Sequence, residues 1–146
     1  MLFTPSSSSD APPFTPRVAA ALLARCTSRV AAAALHARLL RCSRAFFRSP
    51  YLSNCLGAAY SRLGAAPYAV ALLRAAAKPN IFSHNILLSA LVSSGLLEDA
   101  RGLFDGMPQR DAVTYNAMLS GYVAGALPDE AFHLFCSMNE RDVRPT

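Results

Sequence analysis

An asparagine returns at a fixed spacing along this chain. It stands at 54, 85 and 116, inside the segments YLSNCLGAAY (51–60), FSHNILLSAL (82–91) and VTYNAMLSGY (113–122), each 31 residues beyond the last. A period of this size marks an array of small stacked units and argues against a fold built around one irregular core. Aligned on the asparagines, the chain divides into Pro50–Asn80, Ile81–Asp111 and Ala112–Thr146. Leu88, Ser89, Val92, Leu96, Ala100, Leu103, Phe104 and Met107 of the second unit recur as Leu119, Ser120, Val123, Leu127, Ala131, Leu134, Phe135 and Met138 of the third. The first unit follows less closely, through Asn54, Gly64 and Ala69.

Each unit reads as two helices. In the second, Phe82–Ser93 is an apolar segment, Gly95 punctuates it, and Leu97–Met107 follows. Leu96, Ala100, Leu103, Phe104 and Met107 fall on one face of an α-helix and predict a core stripe, as do Leu127, Ala131, Leu134, Phe135 and Met138. Glu98-Asp99 and Asp129-Glu130 open these second helices, where the helix dipole favours negative charge. Pro67 and Pro128 suit helix starts, and Gly64 and Gly95 suit the turns between helices. One such hairpin cannot bury its stripe; stacked neighbours can. The expected fold is all-α, a right-handed α-solenoid of stacked helix-turn-helix repeats.

Upstream, MLFTPSSSSDAPPFTP is Ser/Pro-rich, so residues 1–16 are expected to be a disordered leader. Arg17–Arg48 holds seven arginines and no acid, interleaved with Ala and Leu. Such an acid-poor, amphipathic start has the character of a transit peptide, one that extends beyond residue 16. Residues 17–49 are also expected to form a degenerate helical unit of the fold. Residues 1–97 carry ten basic residues against one acid, and this half suits either targeting or an anionic partner. Apolar runs are broken by charge before reaching membrane-spanning length, so no membrane partner is expected. Cys26, Cys42, Cys55 and Cys136 are irregularly spaced and form no CxxC pair, so they read as small buried hydrophobes and not as metal ligands. The three histidines lie in HAR, HNI and HLF, none giving the HxE of a zinc deaminase, and no phosphate-binding loop or nucleophile elbow is present. No catalytic residue, metal or cofactor is expected: the chain does not read as an enzyme.

VTYNAMLSGYVAGALPDEAFHLFCSMNERDVRPT resembles a pentatricopeptide repeat (PPR) over its whole length. NIFSHNILLSALVSSGLLEDARGLFDGMPQRD resembles the short variant, PYLSNCLGAAYSRLGAAPYAVALLRAAAKPN a more degenerate short unit, and LLARCTSRVAAAALHARLLRCS the long variant. The tetratricopeptide repeat fits less well, because it keeps a fixed period of 34 and a Trp-containing pattern, and this chain has no Trp. Two departures stand out. The third unit has Gly125-Ala126 where the family places its turn glycine one position later, and the first has Leu73 and Ala76 for the usual Phe and Met. Mixed long and short units are similar to the plant organellar subclass associated with RNA editing.

The asparagines have a physical reading of their own. Three residues before each stands Tyr51, Phe82 or Val113, and four after it Ala58, Ser89 or Ser120, all on one helix face. A stacking surface, an amide and a small residue match the needs of an unpaired RNA base. A helix-capping role for the asparagines is the structural alternative. The resemblance implies that one base per repeat is read by the fifth and last residues. These are Asn54 with Asn80, Asn85 with Asp111, and Asn116 with Thr146, with Tyr51, Phe82 and Val113 stacking on the bases. It implies cytosine for the first pair, uracil for the second and a pyrimidine for the third, 5′ to 3′ along the chain. The expected function is sequence-specific binding of single-stranded organellar RNA by a monomer, in the mitochondrion or alternatively the chloroplast. It would support processing or C-to-U editing through a recruited protein. A protein-interaction solenoid and a non-functional truncated fragment are the alternatives, since the array stops at Thr146 without a polar capping helix.

Overall fold

The computed structural model describes residues 15–42, 50–76 and 78–144. They form α1 (Pro16–Arg25), α2 (Arg29–Cys42), α3 (Pro50–Arg62), α4 (Ala66–Arg74), α5 (Ile81–Ser93), α6 (Leu97–Gly106), α7 (Ala112–Ala124) and α8 (Pro128–Glu140). Among the described residues there is no strand, and no helix is long and apolar enough to cross a membrane. The leader assigned to residues 1–16 lies outside the described residues up to residue 14; α1 is capped by the Thr15 side chain and begins at Pro16.

Local chemistry sets the helix boundaries. Asn80 and Asp111 cap α5 and α7, each accepting from the N–H three residues on, while Ser83 and Thr114 return a hydroxyl to the cap N–H. These reciprocal capping boxes satisfy N–H groups that the helix leaves unpaired. At the other end, Ala65, Leu96 and Leu127 donate back to Tyr60, Leu91 and Tyr122 carbonyls at 2.8, 3.0 and 2.9 Å, closing each hairpin. That closure requires a left-handed residue one position earlier. Gly64 (φ 68°) and Gly95 (φ 74°) supply it freely, whereas Ala126 (φ 54°) must adopt it with a Cβ.

First helices stack in sequence, α1 on α3, α3 on α5 and α5 on α7, while α4, α6 and α8 lie against the first helices of their own hairpins. This is an α-helical solenoid. Its core runs along the stack in two clusters bridged by Val70, one around Leu23, Leu39, Leu52 and Leu56, the other around Leu88, Phe104, Tyr115 and Met138. Helix α5 is apolar on most of its surface because neighbours cover it on both sides.

The stripe of the second unit is buried at Ala100, Phe104 and Met107, but Leu96 is exposed. Of the third unit's stripe only Leu134 and Met138 are buried, and Phe135, 46% exposed, contrasts with its counterpart Phe104 at 4%. The expectation of a uniform core stripe therefore fails in part. Helices α7 and α8 are covered on the side facing α5 and α6, and no described helix lies beyond them. The cysteines also depart from expectation: Cys26 and Cys55 are half-buried and Cys136 is exposed. The replacement of Phe by Leu73 costs no burial, since Leu73 is 3% exposed.

Three arginines stitch the hairpins. Arg62, in the last turn of α3, donates to the carbonyls of Ala24, Leu23 and Cys26 at 2.8, 2.9 and 3.0 Å. Arg29, opening α2, donates to Leu63 and Gly64 at 3.0 and 2.8 Å. Arg110 donates to Phe104 and Asp105 at 2.7 Å each and lies over the Phe104 ring. All three guanidiniums satisfy carbonyls at helix C-termini, where positive charge is also favoured by the dipole.

Candidate RNA interface

The first helices place Tyr51, Phe82 and Val113 in a row on one face, at 53%, 68% and 55% exposure. Their apolar surface is unburied although each sits at the same register as its neighbours. Between successive members of the row are clefts. One, of about 460 Å³, is lined by Tyr51, Asn54, Cys55, Asn80, Phe82 and Ile86. The next, of about 450 Å³, includes Phe82, Asn85, Ser89, Asp111 and Val113. Each cleft is thus flanked by the stacking residues of two consecutive units, and Phe82 serves both.

The floor of each cleft is a polar network. Asn54 Nδ2 donates to Asn80 Oδ1 at 3.2 Å, and Asn85 Nδ2 donates to Asp111 Oδ1 at 3.1 Å. The structure therefore brings together two of the three residue pairs that the resemblance implies, although each pair is 26 residues apart. A third member had gone unremarked. The Ser83 hydroxyl donates to Asn54 Oδ1, and the Thr114 hydroxyl to Asn85 Oδ1, each at 2.7 Å. The signal was legible in principle, as NxxSxN (80–85) and DxxTxN (111–116). Asn116 is half-buried, and its proposed partner Thr146 lies outside the described residues.

Capping, weighed above as the alternative role for the asparagines, belongs instead to their partners. Asn54, Asn85 and Asn116 lie within helices, whereas Asn80 and Asp111 are the N-caps. Capping fixes one oxygen of each partner on the helix N-terminus and turns the remaining atom outward. For Asn80 that atom is Nδ2, a donor; for Asp111 it is Oδ2, an acceptor, which Asn85 Nδ2 approaches only at 3.4 Å. Burial raises the Asp111 pKa, but hydrogen bonds from the Thr114 N–H and hydroxyl, the Asn85 amide and its own backbone N–H outweigh it. The carboxyl is held below its ordinary value and is ionised at neutral pH.

Asn85 is only 7% exposed, so its amide acts at the bottom of its cleft. Arg62 borders the same cleft, yet its guanidinium is committed to the α1 carbonyls. Among the described residues no group of three His, Cys, Asp or Glu is placed to hold a metal.

A stack of helical hairpins with clefts at its junctions, two of them floored by side-chain hydrogen bonds, is the architecture of a helical-repeat protein. Residues 82–111 match the model of the PPR repeat, and residues 110–146 that of the PPR repeat family. Residues 82–146 are therefore pentatricopeptide repeats, which as a class bind RNA. No curated protein matches the chain at a significant level.

Proposed function

We propose that this chain binds single-stranded RNA with a sequence preference, inside an organelle, and supports RNA processing or C-to-U editing carried out by a recruited factor. The observation that carries the reading is the pair of clefts, each with exposed apolar side chains on two sides and a donor–acceptor floor between them. A base entering a cleft stacks between Tyr51 and Phe82, or between Phe82 and Val113. Its Watson–Crick edge then meets the amide and the capping residue.

Donor and acceptor chemistry gives the preference. The second hydrogen of the Asn54 or Asn85 Nδ2 donates to O2, an acceptor that cytosine and uracil share. Purines present a C–H or N–H at the same place and are disfavoured. At the middle of the edge, cytosine N3 accepts and uracil N3–H donates. Asn80 Nδ2 therefore suits cytosine and the ionised Asp111 Oδ2 suits uracil. Asn116 with Thr146 adds a third pyrimidine position. The acid-free, arginine-bearing stretch Arg17–Arg48 supports an organellar destination, the mitochondrion ahead of the chloroplast.

Binding to short single-stranded RNA oligomers tests the reading. Oligomers carrying C-U followed by a pyrimidine should bind more tightly than purine runs. The combined change Asn54→Ala, Asn85→Ala and Asn116→Ala should erase that difference while circular dichroism shows unchanged helix. Equal affinity of the unmodified chain for pyrimidine and purine oligomers would refute the assignment.

A further inference from the structure

The hydroxyls of Ser83 and Thr114 touch neither the row of stacking side chains nor the outward atoms of the capping residues. Each belongs to one unit and reaches the asparagine of the unit before it, at a sequence separation of 29. Thr114 is fully buried and Ser83 nearly so, so neither is placed to touch RNA. Each hydroxyl shares its one hydrogen between the asparagine oxygen at 2.7 Å and the inner oxygen of the capping residue, at 3.0 Å for Ser83 and 2.8 Å for Thr114, with the shorter contact on the asparagine. Asn85 Nδ2 faces the Asp111 carboxylate, since turning the amide over would set oxygen against oxygen, and Thr114 then holds Oδ1 on the inner side. Asn54 is gripped in the same way by Asn80 and Ser83.

We infer that Ser83 and Thr114 are positioning residues for base discrimination: by sealing the asparagine oxygen inside the solenoid, they leave each cleft floor with a donor only and so exclude guanine. The inference rests on the RNA reading above. An asparagine free to turn would offer Oδ1 as well as Nδ2. Oδ1 would accept the guanine N2–H that occupies the position of pyrimidine O2, and the cleft would lose its preference. The molecule supplies its own comparison at the junction of α1 and α3. Counted from the Thr15 cap, Ala20 takes the place of the asparagine, and Leu52 takes the place of the hydroxyl residue. Amide and hydroxyl are absent together there. The two groups therefore go together as parts of one device.

The experiment compares the full chain with its Thr114→Val and Thr114→Ser variants on RNA oligomers that carry C-U-C or C-G-C. Thr114→Val should lower the U-over-G preference about three- to tenfold, the range that one net hydrogen bond commands. Thr114→Ser should restore it. Ser83→Ala, at the more exposed junction, should do the same for C over G at the preceding base, read with C-U-C against G-U-C, and it keeps the test decisive if Thr114→Val does not fold. A preference that survives in a folded variant, or an equal loss of affinity for both oligomers, would overturn the inference and leave the RNA reading standing. A wild-type chain that binds neither oligomer would overturn the RNA reading itself.

Discussion

Asp111 has two duties, and they separate cleanly. It caps α7 through one carboxylate oxygen and turns the other toward the cleft. Asparagine caps a helix about as well as aspartate, so Asp111→Asn should leave the fold intact while replacing the outward acceptor with a donor. The expected outcome is a switch from U to C at that base, read by competition between C-U-C and C-C-C oligomers. The same carboxyl gives a pH signature. Its folded pKa lies below the unfolded value of about 3.9, so its contribution is complete above that value and is lost as pH falls through the folded pKa. Thermal melts between neutral pH and pH ~3 should show this acid-sensitive component in the wild type and its loss in Asp111→Asn. Ala126 is a second residue with a measurable cost. It occupies the left-handed position that Gly64 and Gly95 fill in the other hairpins. Ala126→Gly should stabilise the chain by about 1 kcal/mol in a denaturant titration, the relief of a left-handed Cβ less the added flexibility of glycine.

At the scale of elements, much was legible because each helix carries its own boundary signals. Gly64, Gly95, Pro67 and Pro128 announced turns and starts, and the acids at 98–99 and 129–130 do open α6 and α8. The arginines have a structural role that their density did not announce: Arg29, Arg62 and Arg110 are spent on helix C-termini. Nothing in a one-dimensional pattern distinguishes such an arginine from a solvated one: the carbonyl partners of Arg29 and Arg62 come from another hairpin, up to 39 residues away, and those of Arg110 from the preceding helix of its own unit. Arg62 shows the consequence. One guanidinium holds three carbonyls at the end of α1 and ties that helix to α3. Arg62→Met keeps the aliphatic stem and removes the donors. It should cost about 1.5–3 kcal/mol, with the loss of amide protection in hydrogen exchange concentrated in α1 and α2.

Across the whole molecule, the repeat period revealed the stacking order but not that each cleft belongs to two units. The alignment assigned one stacking residue to each base. The structure instead puts Tyr51 and Phe82 on either side of the first cleft, and Phe82 and Val113 on either side of the second. Hydrogen bonds across the junction follow the same rule, since Asn80 and Ser83 complete the site of Asn54, and Asp111 and Thr114 that of Asn85. Each cleft is thus a property of a junction, and its chemistry becomes visible only when neighbouring helices pack. This makes the three stacking residues unequal. Phe82 lines both clefts, whereas Tyr51 and Val113 each flank one of the two described clefts. With stacking contributing about 1–3 kcal/mol per base, Phe82→Ala should weaken RNA binding by roughly twice the free energy lost in Tyr51→Ala. Fluorescence anisotropy on C-U-C oligomers measures the comparison, and single-base replacements locate it. Phe82→Ala should blunt discrimination at both C and U, while Tyr51→Ala should blunt it at C and leave U intact. Equal and purely local effects of the two changes would mean that each base stacks on one unit alone.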